Sequence, residues 1–81
     1  MAEWSRETLM ALNQDDVIYV EVSSTWIEAI SYDLKTSTVV VSSQHNRNDY
    51  VYYNRPFEDY LAFVNADSPG SFFNMYVRGR W

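Results

Sequence analysis

Tyrosines and arginines give this chain its clearest potential for binding chemistry. Tyr50, Tyr52 and Tyr53 lie in one short segment. Aromatic rings exposed beside arginines form a platform on which single-stranded bases stack, each base contributing about 1–3 kcal/mol. We therefore expect weak, non-catalytic binding of single-stranded RNA by a surface of six residues: Tyr50, Tyr52, Arg47, Arg55, Arg78 and Arg80. Part of this strand has to face the core, because alternate side chains point to opposite faces. The sequence leaves open whether Tyr50 and Tyr52 are core or exposed.

Acidic residues concentrated in the first third of the chain suggest a different partner. The formal net charge is −5 over 81 residues, and residues 1–33 carry seven carboxylates against one arginine. Aromatic side chains surrounded by charge are common at protein interfaces. The alternative to RNA binding is therefore an acidic interaction or inhibitor protein, encoded by a phage in one version of this reading, that binds a basic host protein handling nucleic acid. Its contact residues would be Trp4, Asp15, Asp16, Tyr19, Glu21 and Glu28. A simpler explanation is an acidic face that only keeps the protein soluble.

Residues suited to catalysis or metal binding are sparse. His45 is the only histidine, and with Ser23 or Ser24 and Asp33 or Asp49 it contains the residue types of a triad. A triad is defined by geometry rather than by composition. The chain has no cysteine, and its carboxylates show no metal-ligand spacing. Only two glycines are present, so no glycine-rich phosphate loop exists. We expect no enzymatic activity, no metal and no cofactor.

The hydrophobic pattern predicts the elements that position these side chains. Alternation and β-branched residues predict strands over 17–22, 25–32, 38–42 and 50–54, and the second strand departs from strict alternation in a way that a bulge near residues 27–30 would explain. Two helices follow. The fold class is therefore α+β: a four-stranded antiparallel meander, two C-terminal helices packed on one face, and an added N-terminal helix.

The helix boundaries follow from capping residues. Pro56 suits the first position of one helix, whose buried stripe would be Phe57, Tyr60, Leu61 and Val64. Ser68-Pro69 opens a second helix, with Phe73, Tyr76 and Val77 on one face and Gly79 just past its end. Free N–H groups beside Ser68, Gly70 and Ser71 could also hold a phosphate, although a plain cap explains them equally.

The N-terminal segment has its own capping signal. Ser5 is placed to cap a short helix, and Trp4 and Leu9 flank it as a hydrophobic staple. We divide the chain into a helical extension over 1–16 and a domain over 17–81. No apolar run reaches the ~20 residues of a membrane span, and Met1 to Trp4 lack the start of a signal peptide, so we expect no membrane association and a cytoplasmic protein.

An ordered series of short motifs resembles a known family. The positions that match are Val22-Ser23-Ser24, Ile27, Ile30, Tyr32-Asp33, Val39, Val41, Tyr50, Tyr52, Pro56, Ala66, Ser68, Gly70, Phe73-Asn74 and Val77-Arg78. Together they resemble the KTSC domain, a free-standing bacterial or phage module that is also found at the C-terminus of some lysyl-tRNA synthetases. The resemblance implies a domain without an established activity, for which the synthetase context suggests RNA binding through Tyr50, Tyr52 and Arg78. The chain departs from the family pattern at Ser43, Asn46 and Arg55, where the family usually has an aromatic residue, a glycine and a valine.

Overall fold

The computed structural model describes residues 4–5, 7–9, 16–45 and 49–81. Its strands are β1 (Val17–Glu21), β2 (Ile27–Asp33), β3 (Thr38–Ser43) and β4 (Asp49–Tyr52). They are followed by helix α1 (Phe57–Val64), the short helix α2 (Pro69–Phe72) and a π-helical turn, Phe73–Val77, which continues directly from α2. None of the described helices is long and apolar enough to cross a membrane.

The four strands form one antiparallel sheet in chain order, β1-β2-β3-β4. Two cross-strand rows line its inner face: Ile18, Tyr32, Val39 and Tyr52, and next to it Val20, Ile30, Val41 and Tyr50. Residues in a row share a face because side chains alternate along every strand. The predicted α+β fold with a four-stranded antiparallel meander is therefore confirmed.

An irregularity in β2 explains its broken hydrophobic alternation. The pairing of β2 with β3 shifts register between Ile27 and Ala29, as the predicted bulge requires. Ile27, Ala29 and Ile30 are all fully buried, while Glu28 between them is exposed. Because β2 starts at Ile27 rather than at residue 25, Trp26 belongs to the connection that leads into the strand.

The helices cover one face of the sheet and form the core with it. Tyr60 of α1 is fully buried, and its hydroxyl donates to the carbonyl of Ile30 at 2.8 Å. The ring centroids of Tyr32 and Phe57 are 5.4 Å apart, and the hydroxyl of Tyr32 donates a hydrogen bond to the carbonyl of Arg55. The opposite face is much more open, with large side chains exposed at Val17, Tyr19 and Val51.

Helix α1 begins one residue later than predicted. Pro56 has extended backbone angles and is the N-cap residue, so the first helical residue is Phe57. The predicted stripe is largely correct, because Phe57, Tyr60 and Val64 are buried. Leu61 packs against the core from a half-buried position.

The second helix starts as predicted and continues differently. Ser68 is the N-cap, with its side chain accepting from the backbone N–H of Ser71, and Pro69 is the first helical residue. The prediction that Tyr76 shares a buried face with Phe73 and Val77 is wrong, since Tyr76 is 51% exposed. In the wider π-helical turn Phe73 and Val77, which are four residues apart, lie on the same face, and Tyr76 is rotated away from it.

A tight turn closes the chain after the π-helical turn. Gly79 has a φ of 73°, and the N–H of Arg80 donates to the carbonyl of Val77 at 3.0 Å. A residue with positive φ at this turn position is most often glycine, as the sequence predicted for the helix end. The turn returns Trp81 to the core, where its ring lies 5.8 Å from that of Phe63.

The described part of the N-terminal segment is tied to the end of α1. Ser5 accepts from the backbone N–H of Thr8, as expected of the N-cap, and Leu9 is buried. The side-chain amide of Asn65 bonds both the N–H and the carbonyl of Trp4, at 2.6 and 2.8 Å. Most of the predicted extension, including Asp15, lies outside the described residues.

Candidate functional site

An open groove lies where β4 meets the π-helical turn. We call it the aromatic groove; it encloses about 460 Å³ and is lined by Trp26, Tyr50, Tyr52, Phe73, Asn74 and Arg78. Pockets of ~300–1,000 Å³ are the usual size for small ligands. Its walls come from three separate parts of the chain: the entry to β2, the edge strand β4 and the π-helical turn.

Phe73 is the floor of the aromatic groove. It is 3% exposed, and its ring lies 5.0 Å from Trp26 and 5.3 Å from Tyr50, centroid to centroid. Tyr52 is half-buried against the same ring at 6.3 Å. Tyr50 is 39% exposed, because β4 is an edge strand that the π-helical turn covers only in part. Both tyrosines therefore face the helices while keeping surface that a ligand can contact.

Arg78 is the charged group of the aromatic groove. Burial raises the pKa of the Tyr52 hydroxyl, the neighbouring Tyr50 raises this pKa further, and Arg78 opposes the rise. These three side chains are thus close enough to interact electrostatically. Within the described ranges the ion pairs are Lys35–Asp16 and Arg55–Asp59, so Arg78 has no carboxylate partner there. Its charge is available for an anionic ligand.

The π-helical turn determines where Arg78 lies. The N–H of Arg78 donates to the carbonyl of Phe73, five residues earlier, at 2.8 Å. One extra residue is accommodated in this turn compared with an α-helix. Phe73 and Val77 consequently both reach the core while Asn74 and Arg78 line the groove.

The other predicted arginines are not brought into the groove lining. The guanidinium of Arg55 pairs with Asp59 and lies 5.0 Å from the centroid of the Trp81 ring. Its side chain is only partly exposed, which indicates a structural anchor at the start of α1. Arg80 is exposed in the C-terminal turn, and Arg47 lies outside the described residues.

The residues predicted for a protein partner are only partly grouped. Tyr19 is 52% exposed on the open face of the sheet, and the nearby carboxylates of Glu28 and Glu21 contribute to a raised pKa of its hydroxyl, after desolvation as the largest cause. Asp16 pairs with Lys35 at 3.0 Å. Trp4 packs against the core at the other side of the sheet, next to the end of α1.

Two of the residues considered for catalysis, Ser24 and His45, have structural partners. Ser24 accepts from the backbone N–H groups of Trp26 and Ile27, and a ring nitrogen of His45 lies 2.9 Å from the carbonyl of Thr25. These bonds hold the connection that carries Trp26. Among the residues that the structure describes, no three His, Cys, Asp or Glu side chains are grouped as a metal site would need.

Three groove residues are absent from the predicted binding surface. The pattern places Trp26 in a strand and Phe73 on a buried helix face, and it does not single out Asn74 as a contact. The signal for Asn74 was present, because Phe73-Asn74 is one of the motifs that match the family. For Trp26 the signal was the break in hydrophobic alternation just after it, because Trp26 lies before the start of β2 and outside the regular sheet.

The fold and the groove together are those of a small α+β module, and comparison with known proteins identifies its family. The KTSC domain model matches residues 23–81, so the chain belongs to the KTSC domain family. The match begins after β1.

A solved structure is similar over most of its length. The crystal structure of a KTSC domain protein from Yersinia pestis superposes with a TM-score of 0.70 at 27% sequence identity, covering 78% of this chain and 87% of that one. A comparison with curated protein sequences gave no significant match.

Proposed function

We propose that this chain is a non-catalytic binding module that holds a base of single-stranded RNA in the aromatic groove. The observation that carries the proposal is the position of Arg78, unpaired among the described residues, beside Tyr50 and Tyr52 on one partly open surface. A base would stack on the exposed part of Tyr50 and contact the edge of Trp26, and the neighbouring phosphate would bind Arg78. Affinity would be weak, because the site has one cation and the whole chain is acidic.

The test is a titration of a fluorescently labelled single-stranded RNA at low salt, followed by anisotropy. Tyr50→Ala is expected to weaken binding about tenfold, in line with the loss of one stacked base. Tyr53→Ala is the matched control, because Tyr53 directly follows β4, is 74% exposed and does not line the groove. No binding at low salt, or equal losses in the two variants, would refute the proposal.

A second candidate function is binding of a basic protein segment on the open face of the sheet. The observation that favours it is the grouping of the exposed Tyr19 with two carboxylates, Glu21 and Glu28. An aromatic anchor ringed by acidic groups fits a segment with an apolar residue between lysines or arginines.

A defined basic peptide of that composition tests this second candidate. The double variant E21Q/E28Q should bind it several-fold more weakly than the double variant E7Q/E58Q, which removes the same charge at exposed positions elsewhere. Equal affinities would show only non-specific attraction to an acidic protein.

A further inference from the structure

A second hollow adjoins the aromatic groove and differs from it in chemistry. It encloses about 320 Å³ and is rich in hydroxyl groups; its lining is Ser23, Ser24, Thr25, Trp26, Asp67, Ser68, Gly70, Ser71 and Asn74. We call it the hydroxyl hollow. Trp26 and Asn74 line both spaces, so the two are neighbours, and we refer to them together as the combined site.

The two spaces carry opposite charges. Arg78 is the charged residue that lines the aromatic groove, and Asp67 is the charged residue that lines the hydroxyl hollow. Asp67 is exposed and forms no ion pair with any described residue. An ionised carboxylate accepts hydrogen bonds from hydroxyl groups and repels phosphate. The combined site therefore has a direction: an anion fits at one end and hydroxyl donors at the other.

Packing around Gly70 keeps the hydroxyl hollow next to Trp26. A Cβ atom at Gly70 would lie 2.9 Å from Nε1 of Trp26 and 3.6 Å from Oγ of Ser24. Two of the serines are already engaged, since Ser24 accepts from the backbone at the entry to β2 and Ser68 caps α2. Asp67 is the charged residue of this lining, so it is the group that an anion would be repelled by.

We propose that the combined site recognises the 3′-terminal nucleoside of RNA, with its free 2′,3′-diol. This inference rests on the proposed function and deepens it. The terminal base occupies the aromatic groove, the phosphate on its 5′ side binds Arg78, and the diol donates hydrogen bonds to Asp67. An internal nucleotide fits less well, because its 3′-phosphate would meet the carboxylate. The 2′-hydroxyl is also the group by which a protein distinguishes RNA from DNA.

The experiment compares one 5′-labelled single-stranded RNA with three different 3′ ends. The ends are a free diol, a 3′-phosphate and a terminal 2′-deoxynucleotide. The wild-type protein is expected to bind the free diol about tenfold more tightly than the 3′-phosphate at low salt. A smaller loss is expected for the 2′-deoxy end, which keeps one of the two hydroxyls.

The variant Asp67→Asn assigns the discrimination to its residue. This variant should bind the free-diol end and the 3′-phosphate end with nearly equal affinity. Asp49→Asn is the control, because it makes an equal change of charge at an exposed residue of β4, and it should prefer the free diol as the wild type does. Thermal unfolding of each variant reports whether the fold is kept.

Each outcome separates this inference from the proposed function. Equal wild-type affinity for all three ends, with Tyr50→Ala still weaker, overturns the 3′-end inference and leaves RNA binding in place. Discrimination that persists in Asp67→Asn overturns the role of the carboxylate. No binding of any RNA at low salt overturns the proposed function itself.

Discussion

At the scale of single residues, Tyr60 shows how one buried polar group connects the two layers of the fold. It is fully buried, and its hydroxyl donates to the carbonyl of Ile30 in the central strand β2. Burial raises the pKa of this hydroxyl far above the usual value of about 10. The native state therefore keeps the proton at pH values where the unfolded chain loses it.

The variant Tyr60→Phe tests this hydrogen bond. Removal of the hydroxyl should destabilise the protein by about 1–2 kcal/mol at pH 8, because the buried carbonyl loses a donor. Urea unfolding followed by circular dichroism measures the difference. Tyr53→Phe is the control, and its exposed ring predicts no change. A stability for Tyr60→Phe equal to that of the wild type would contradict this role.

The raised pKa of Tyr60 also predicts how the stability difference between the wild type and Tyr60→Phe changes with pH. A tyrosine with a raised native pKa contributes its stability fully below the unfolded pKa, and the contribution falls as the pH rises above about 10. Between pH 8 and pH 11 the wild type should lose about 1.4 kcal/mol through Tyr60, a loss that Tyr60→Phe cannot show. The gap between the two proteins should therefore narrow at pH 11. A constant or widening gap would contradict the raised pKa.

Gly70 packs so closely against Trp26, a residue of the groove, that a Cβ atom at this position would lie too near its indole ring. Alanine favours helices over glycine by up to ~1 kcal/mol, so Gly70→Ala alone would be expected to stabilise α2. Because the added Cβ would lie 2.9 Å from Nε1 of Trp26, we predict a net loss of stability of about 1–2 kcal/mol instead. In a Trp26→Phe background the same change should be much less harmful. Equal costs in both backgrounds, measured by urea unfolding, would show that Trp26 is not the obstacle.

Sequence reasoning located part of the candidate site, and the missing parts have a physical cause. Tyr50, Tyr52 and Arg78 were predicted together, and all three line the aromatic groove. Arg55 was predicted from its charge alone, and charge does not reveal a partner such as Asp59 four residues later. Trp26 contacts Tyr50 across a separation of 24 residues, a contact that only the folded register of three strands creates.

At the scale of elements, the π-helical turn links the core to the site. Its hydrogen bond from the N–H of Arg78 to the carbonyl of Phe73 spans five residues instead of four. This wider turn places Phe73 and Val77 in the core and leaves Tyr76 exposed. The strands were predictable because alternation is a local signal, and the bulge was visible as its interruption. The turn was not predictable, since its sequence also fits an α-helical stripe, and tertiary packing decided between the two.

Deletion of Met75 tests the importance of this turn. Met75 is 58% exposed, so its side chain contributes little packing. Its removal should convert the turn to an α-helix in which the N–H of Arg78 donates to the same carbonyl, that of Phe73, from four residues away instead of five. Arg78 therefore keeps its place, and we predict retained helix and sheet content by circular dichroism and an RNA affinity close to that of the wild type and of Met75→Ala. An affinity reduced to the level of Arg78→Ala would show that the extra residue is needed to position the arginine.

At the scale of the whole molecule, charge limits how tightly the proposed RNA ligand could bind. The chain has a net charge of −5, and Arg78 is the one cation among the residues that line the groove, with Arg80 exposed two residues further on. For single strands the slope of log K against log salt is about −0.7 per phosphate contact. We therefore predict a shallow slope of about −0.7 to −1.4 from one or two contacts, measured by anisotropy between low and physiological salt. A steep slope would indicate a basic surface elsewhere, such as the segment around Arg47.

The proposed function places the RNA on the helix side of the sheet, in the aromatic groove. Amide chemical-shift changes during titration of ¹⁵N-labelled protein with a short single-stranded RNA test this most directly. We predict that the largest changes lie at Trp26, Tyr50, Tyr52, Asn74 and Arg78. Changes centred on Tyr19, Glu21 and Glu28 of the open face, or no changes at low salt, would contradict it.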